Sequence, residues 1–196
     1  MVSKKIHSGG ESINTNTKNK NETTLTVGFE NDFYFRKPVK DDGAAVWELI
    51  KDSKVLDLNS SYSYLMWCDI FSETSIIAEK DGRTFGFISG YKNPNNMNKL
   101  FIWQVAVDAS ARGNGLATKM LCQLLKREAC KDIDYVEATV SPSNQPSQSL
   151  FRGLAKKLDT DCHINDYFIA EDFPDEEKEH EDELLFTIGP ITAENK

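Results

Sequence analysis

No apolar run in this chain approaches the roughly 18 residues that a membrane-crossing helix requires, and its first residues lack the apolar core of a secretory signal. The four cysteines (Cys68, Cys122, Cys130 and Cys162) have neither zinc-site spacing nor a C-x-x-C pair. They read as ordinary thiols of a reducing cytoplasm, and no metal is expected. There is no basic stripe, so nucleic acid is not an expected partner, and no internal repeat. Two phosphate-binding signatures are missing as well. A Walker loop needs Gly-Lys-Ser/Thr after a glycine and four residues, and no such string occurs. A dinucleotide fingerprint needs a third glycine where Thr118 stands.

What is present begins with an uneven charge. The net charge is −8, and Glu171 to Glu183 alone, with nine acids, one lysine and one histidine, accounts for that sum. With 196 residues and a mean hydropathy of −0.49, the chain is expected to be soluble and to form one domain with a sizeable core. Residues 1–30 are rich in Asn, Thr, Lys and Ser. They bury too little to offset their ordering entropy and are expected as a disordered leader. The domain is expected over residues 31–190, with 191–196 as a tail.

Phe33 to Lys37, ending at Pro38, reads as an edge strand. Asp41-Asp42-Gly43 opens a helix with Val46, Trp47, Leu49 and Ile50 on its apolar side. Ser60 or Ser61 caps a second helix, expected from Tyr62 to Phe71. Strands are expected at 75–79 and 84–91 around an Asp81-Gly82 turn, and at 100–107 after the turn at Asn93 to Asn96. A long helix over 113–130, a strand over 134–140 and a helix from Pro142 to Leu158 follow. Last come strands near 166–171 and 183–188. Antiparallel strands followed by a β–α–β unit predict an α/β, or α+β, mixed sheet flanked by helices.

The most informative stretch is Arg112-Gly113-Asn114-Gly115-Leu116-Ala117, between the apolar run Phe101 to Val107 and the next helix. A glycine turn leading into a helix lets main-chain N–H groups approach phosphate oxygens, and the helix N-terminus adds positive partial charge. A phosphorylated ligand is expected there.

Arg-x-x-Gly-x-Ala after a strand ending Val-Ala-Val resembles the pyrophosphate motif of the GCN5-related N-acetyltransferases. The resemblance implies their fold, a central, mostly antiparallel sheet with a splayed strand pair. It also implies acetyl-CoA as co-substrate. Val105 and Val107 would offer N–H groups to the pantetheine arm and the thioester oxygen. Arg112, Gly113, Asn114, Gly115, Leu116, Ala117 and Thr118 would hold the phosphates, with Asn144, Phe151 and Arg152 completing the cofactor site. The family's general acid is a tyrosine seven residues after a helix-start asparagine; here Asn144 is followed at that distance by Phe151. Thiols ionise near pKa 8.5, so the thiolate can leave unassisted. Tyr62 and Tyr167 are the candidate replacements.

A closer resemblance extends over about residues 33–190. Arg36-Lys37-Pro38, Leu56-Asp57-Leu58-Asn59-Ser60-Ser61-Tyr62, Trp103-Gln104-Val105-Ala106-Val107, Glu137-Ala138-Thr139-Val140, Asn144-Gln145-Pro146-Ser147 and Leu150-Phe151-Arg152-Gly153-Leu154-Ala155 occur in this order. Together they are similar to the L-2,4-diaminobutyrate acetyltransferases of ectoine synthesis. This implies acetylation of the γ-amine (N4) of a small diamine amino acid by a cytoplasmic homodimer. The implied substrate residues are Asp57, Asn59, Tyr62, Trp103, Thr139 and Glu183, with catalytic roles for Tyr62, Trp103, His180 and Glu183. Asp57 suits an ammonium anchor and Trp103 a cation–π wall. His180 and Glu183 have the spacing of a His-x-x-Glu pair, which the resemblance implies would close over the substrate.

An ammonium of pKa about 10.4 must lose its proton before attack, which costs about 4.6 kcal/mol at neutral pH. A base, a desolvated pocket, or both are needed. Asp57, Glu137, His163, His180 and the acids near Glu183 are the candidates. Other readings stay open at this point: an acetyltransferase for another small diamine or amino acid, one that modifies proteins, and a silent acetyl-CoA-binding sensor suggested by Phe151.

Overall fold

The structure, a computed structural model, describes residues 33–54, 56–174 and 180–196. The expected leader over residues 1–30 and part of the acidic run lie outside the described residues.

Seven strands form one sheet in the order β1-β2-β3-β4-β5-β7-β6. β1 (Tyr34–Arg36), β2 (Ile76–Lys80), β3 (Arg83–Asn93) and β4 (Asn96–Val107) pair antiparallel in succession. The hairpin between β2 and β3 turns on Asp81 and Gly82, at φ 51° and 74°, as a two-residue hairpin requires. β4 runs parallel to β5 (Tyr135–Val140). β5 then pairs antiparallel with β7 (Glu183–Ile188), and β7 with the edge strand β6 (Cys162–Phe168). The sheet is mixed and mostly antiparallel, as expected.

Helices cover both faces. α1 (Gly43–Ser53) and α2 (Ser61–Asp69) bury Val46, Ile50, Tyr64 and Cys68 against Ile77, Phe87 and Ala106. On the other face, α3 (Leu116–Leu125) presents Leu116, Met120, Leu121 and Leu124, a stripe at helical spacing. α4 (Gln145–Lys157) adds Phe151 and Leu154. In β5 the period-two rule puts Val136, Ala138 and Val140 into this core and Tyr135, Glu137 and Thr139 on the opposite face. Each fully buried Leu or Phe contributes about 1.5–3 kcal/mol.

Arg36 ties the N-terminal elements together. Its guanidinium makes paired 2.7 Å bonds to the Asp42 carboxylate and a third to Glu79 on β2. Asp42 also accepts from the Val39 N–H at the entry to α1. None of the four cysteines is in a disulfide, and Cys68 and Cys130 are buried; burial pushes the Cys68 thiol up to about 12.

Several boundaries differ from expectation. The helix expected over 113–130 is only Leu116–Leu125. Gly113 and Gly115 lie in the left-handed region before it, and Arg127 turns extended after it, reaching the Ser75 carbonyl. The strand expected near 166–171 is β6 at Cys162–Phe168, because pairing starts at Cys162 opposite Ile188. α2 spans Ser61–Asp69, and Ser60 precedes it without a side-chain cap bond. In the 191–196 stretch, Ile191 is buried in the core and Lys196 Nζ bonds the carbonyl of Lys131.

Candidate active site

β4 and β5 are paired only from Lys99↔Tyr135 to Phe101↔Glu137. Beyond Phe101 the edge of β4 facing β5 has no strand partner among the described residues. β4 also bulges there. Ser89 faces Gln104 and Gly90 faces Ile102, so Trp103 is the extra residue. A bulge bends its strand and re-aims a side chain, and the Trp103 indole stands half exposed. The neighbouring Gln104 donates from Nε2 to the Asp57 carbonyl at 2.8 Å, holding the α1–α2 loop against the bulge.

The parting of the strands opens a cleft of about 890 Å³. Val105 and Val107 line it from β4; Arg112, Gly113 and Gly115 line it from the turn, and Leu116, Ala117 and Thr118 from the first turn of α3. Gly113 and Gly115 have φ of 77° and 71°. Among the described residues, no atom beyond the adjoining residues lies within 4 Å of a Cβ built at either position, so the protein itself requires glycine there for backbone conformation, not for space. Lys119 N–H makes the first helical bond, to Gly115 O, and no side chain caps the N-terminus. The amides of Leu116, Ala117 and Thr118 therefore have no intrahelical acceptor. Arg112 pins the turn to β4 by a 2.9 Å bond from Nε to the Val107 carbonyl. Across the cleft, Asn144 caps α4, its Oδ1 accepting from Ser147 N–H at 3.1 Å.

Three residues expected in the cofactor site are not among those lining the cleft. Asn114 donates to the Arg112 carbonyl. Phe151 belongs to the apolar stripe of α4 and packs in the core on Phe186. The Arg152 guanidinium lies over the Phe186 ring at 5.6 Å.

At the bulge Trp103 stacks on Trp67, with centroids 6.2 Å apart, and Trp67 continues the wall to Phe71 and Tyr91. Asn59 and Ser63 join this wall around a recess of about 140 Å³. A wider groove of about 640 Å³ runs along Trp67, Tyr91 and Trp103. Burial, then the nearby Tyr167 and Glu137, push the Tyr91 phenol up. Asp57 is exposed in the loop that Gln104 holds, and Tyr62 is 68% exposed on α2. Thr139 sits half-buried on β5 opposite Leu185.

His180 and Glu183 are held separately. The His180 ring stacks on Phe173 at 3.6 Å, and its Nδ1 lies 2.7 Å from the Glu181 carbonyl. Glu183 heads β7, and its Oε1 accepts from the Ser141 hydroxyl at 3.0 Å. Of the other candidate bases, Glu137 is buried in an ion pair with Lys99 at 2.6 Å, and His163 is exposed on the edge strand. The sequence reading missed Trp67 and Ser141. Trp67 looks like any apolar residue of α2, and only strand register exposes Ser141.

The acetyltransferase (GNAT) family model matches residues 43–155. The L-2,4-diaminobutyric acid acetyltransferase of Virgibacillus pantothenticus is 61% identical over 81% of this chain and 98% of its own length. That of Oceanobacillus iheyensis is 53% identical over 82% and 89%. Among solved structures, diaminobutyrate acetyltransferase EctA from Paenibacillus lautus, in complex with L-2,4-diaminobutyric acid and coenzyme A, superposes with a TM-score of 0.77. It is 46% identical over 81% of this chain and 95% of that one. Family match, sequence identity and overall fold agree, and the chain belongs to the acetyltransferase (GNAT) family, among the L-2,4-diaminobutyric acid acetyltransferases.

Proposed function

We propose that the chain transfers the acetyl group of acetyl-CoA to the γ-amine of L-2,4-diaminobutyrate, giving N4-acetyl-L-2,4-diaminobutyrate for ectoine synthesis. The observation that carries this reading is the parting of β4 from β5 beyond Phe101. It leaves a cleft lined by the glycine turn and the first turn of α3, and the Trp103 bulge, with its aromatic wall, lies on β4 just past the last paired residue. The relatives named above support it, the Paenibacillus lautus enzyme by the very pair of molecules it holds.

Acetyl-CoA supplies an acetyl group activated as a thioester. In this reading the Gly113–Thr118 amides and Arg112 hold its diphosphate, and the β4 donors at Val105 and Val107 align the arm and stabilise charge growing on the thioester oxygen. Asp57, Asn59, Tyr62, Trp103 and Thr139 anchor the amino-acid end of the diamine, so that its γ-nitrogen alone reaches about 3–3.5 Å from the thioester carbon. Glu183 takes the proton from that nitrogen, and Trp103 favours the ammonium until then. His180, stacked on Phe173, shapes the rim beside Glu183. Phe151 lies in the core, so a missing hydroxyl there removes nothing from the cleft and gives the silent-sensor alternative no ground.

The catalytic unit is read as residues 31–190 together with Ile191, whose side chain packs in the core, acting in the cytoplasm as a homodimer. The exposed Tyr167, Phe168 and Ile169 at the end of edge strand β6 support the pairing. Mass spectrometry of the product from diaminobutyrate and acetyl-CoA tests the reaction. One acetyl group on the γ-nitrogen is expected. Acetylation of the α-nitrogen, or equal kcat/KM for unrelated diamines, would overturn it.

A further inference from the structure

Val140 on β5 pairs with Leu184 on β7. In an antiparallel ladder the next residues outward, Ser141 and Glu183, therefore stand opposite each other. Their side chains meet there, Ser141 Oγ donating to Glu183 Oε1 at 3.0 Å with both groups part-buried. Two residues on, Ser143 N–H donates to Glu181 Oε2 at 2.9 Å, and its hydroxyl bonds the other oxygen of the same carboxylate. Ser141 and Ser143 also line the cleft, on the side facing Val105 and Val107. The turn after β5 thus has cofactor-side groups on one flank and holds two acids of the acceptor rim on the other.

Height along the strands places this pair. The parallel register sets Phe101 level with Glu137, and each strand residue rises about 3.3 Å. Counting outward with Trp103 as the extra bulge residue, Thr139 lies level with Trp103 and Gln104, and Ser141 level with Ala106, between Val105 and Val107. The Ser141–Glu183 bond therefore stands level with the β4 edge assigned to the thioester, two residues beyond the Trp103 wall. A free glutamate at the head of a strand has several rotamers. A hydroxyl held by its own strand selects one of them.

We infer that Ser141 is a positioning residue for the reaction, its hydroxyl holding the Glu183 carboxylate at the height where the amine meets the thioester. The inference rests on the reading of Glu183 as the proton acceptor. It assigns a role to a residue outside the glycine-turn motif, and it explains how an acid from a charge-crowded segment acquires one fixed orientation.

A double-mutant cycle on the full chain tests it, using Ser141→Ala, Ser141→Thr, Glu183→Gln and the double variant Ser141→Ala/Glu183→Gln. Calorimetry with acetyl-CoA and steady-state kinetics with diaminobutyrate give the readouts. Losing one hydrogen bond to a charged group corresponds to roughly tenfold or more. Ser141→Ala is expected to lower kcat by about that factor and to leave acetyl-CoA affinity within about twofold, while Ser141→Thr, which keeps the hydroxyl, recovers most of the rate. In the Glu183→Gln background the serine substitution is expected to change kcat by less than about twofold, because its partner is already altered. Equal losses in both backgrounds, or a Ser141→Ala defect confined to acetyl-CoA affinity, would overturn the inference. Wild-type protein that binds acetyl-CoA but acetylates no diaminobutyrate would instead overturn the proposed function.

Discussion

Three glycines share one backbone conformation but differ in their surroundings. Gly82, Gly113 and Gly115 have φ of 74°, 77° and 71°, and among the described residues a Cβ built on any of them meets no atom beyond the adjoining residues within 4 Å. Replacing each by alanine therefore adds the same strain. Holding an L-residue in the left-handed region costs about 1–2 kcal/mol, and the accompanying change in the unfolded chain returns part of it. The net loss is about 1 kcal/mol at each site, or roughly 2–4 °C in Tm for a chain of this size. Only Gly113 and Gly115 line the cleft. In the proposed reading, the new methyl group there stands where phosphate oxygens come close to the amides. Gly113→Ala and Gly115→Ala are expected to weaken acetyl-CoA binding at least about tenfold, which is about 1.4 kcal/mol. Gly82→Ala is expected to match them in thermal melts and to bind like wild type by calorimetry. Unchanged affinity in both cleft variants refutes the assignment of this turn to the diphosphate. An equal loss in Gly82→Ala refutes the separation of strain from binding.

Asp57→Ala is expected to lower kcat/KM for diaminobutyrate by at least about fivefold, roughly 1 kcal/mol of transition-state stabilisation; a smaller fall in steady-state kinetics means that Asp57 is not an ammonium anchor. Stability should depend on pH through Arg36 and Asp42. Burial by itself raises the Asp42 carboxyl, but the hydrogen bonds from Arg36 and from Val39 N–H outweigh it and hold the group below its ordinary value. A carboxyl depressed in the folded protein contributes stability that is complete above its unfolded pKa of about 3.9 and is lost as pH falls through the lower, folded value. Arg36→Met is therefore expected to cost about 2 kcal/mol in urea unfolding at pH 7, the scale for hydrogen bonds to charged groups, with a gap from wild type that narrows below about pH 4. A gap independent of pH shows that the pair does not carry the effect.

How much was legible in the sequence depends on how far apart the interacting residues lie. Gly113, Gly115 and the apolar stripe of α3 are neighbours in the chain, so the turn, the helix start and the cleft wall followed from local rules. The Asp81-Gly82 hairpin was legible for the same reason. Helix ends were less so. The apolar pattern after Leu125 continues, yet Arg127 leaves the helix and bonds the Ser75 carbonyl, a partner 52 residues away. β6 was misplaced because its start is set by pairing with the far end of β7, which no local pattern records. Phe151 occupies a position that the family resemblance assigned to the cofactor, while the stripe it shares with Leu154 turns it into the core.

The order of residues along this chain was enough to determine a glycine turn between a strand and a helix, and with it the family, because backbone conformation at two glycines and a period of 3.6 are properties of adjacent residues. Tertiary structure alone decided which side chains face one another across the cleft. Trp67 reaches Trp103 through the docking of α2 on the sheet, and Ser141 reaches Glu183 through a strand register spanning 42 residues. Such pairings depend on the whole sheet closing in one alignment, since a slip of one residue would turn each of these strand side chains to the opposite face.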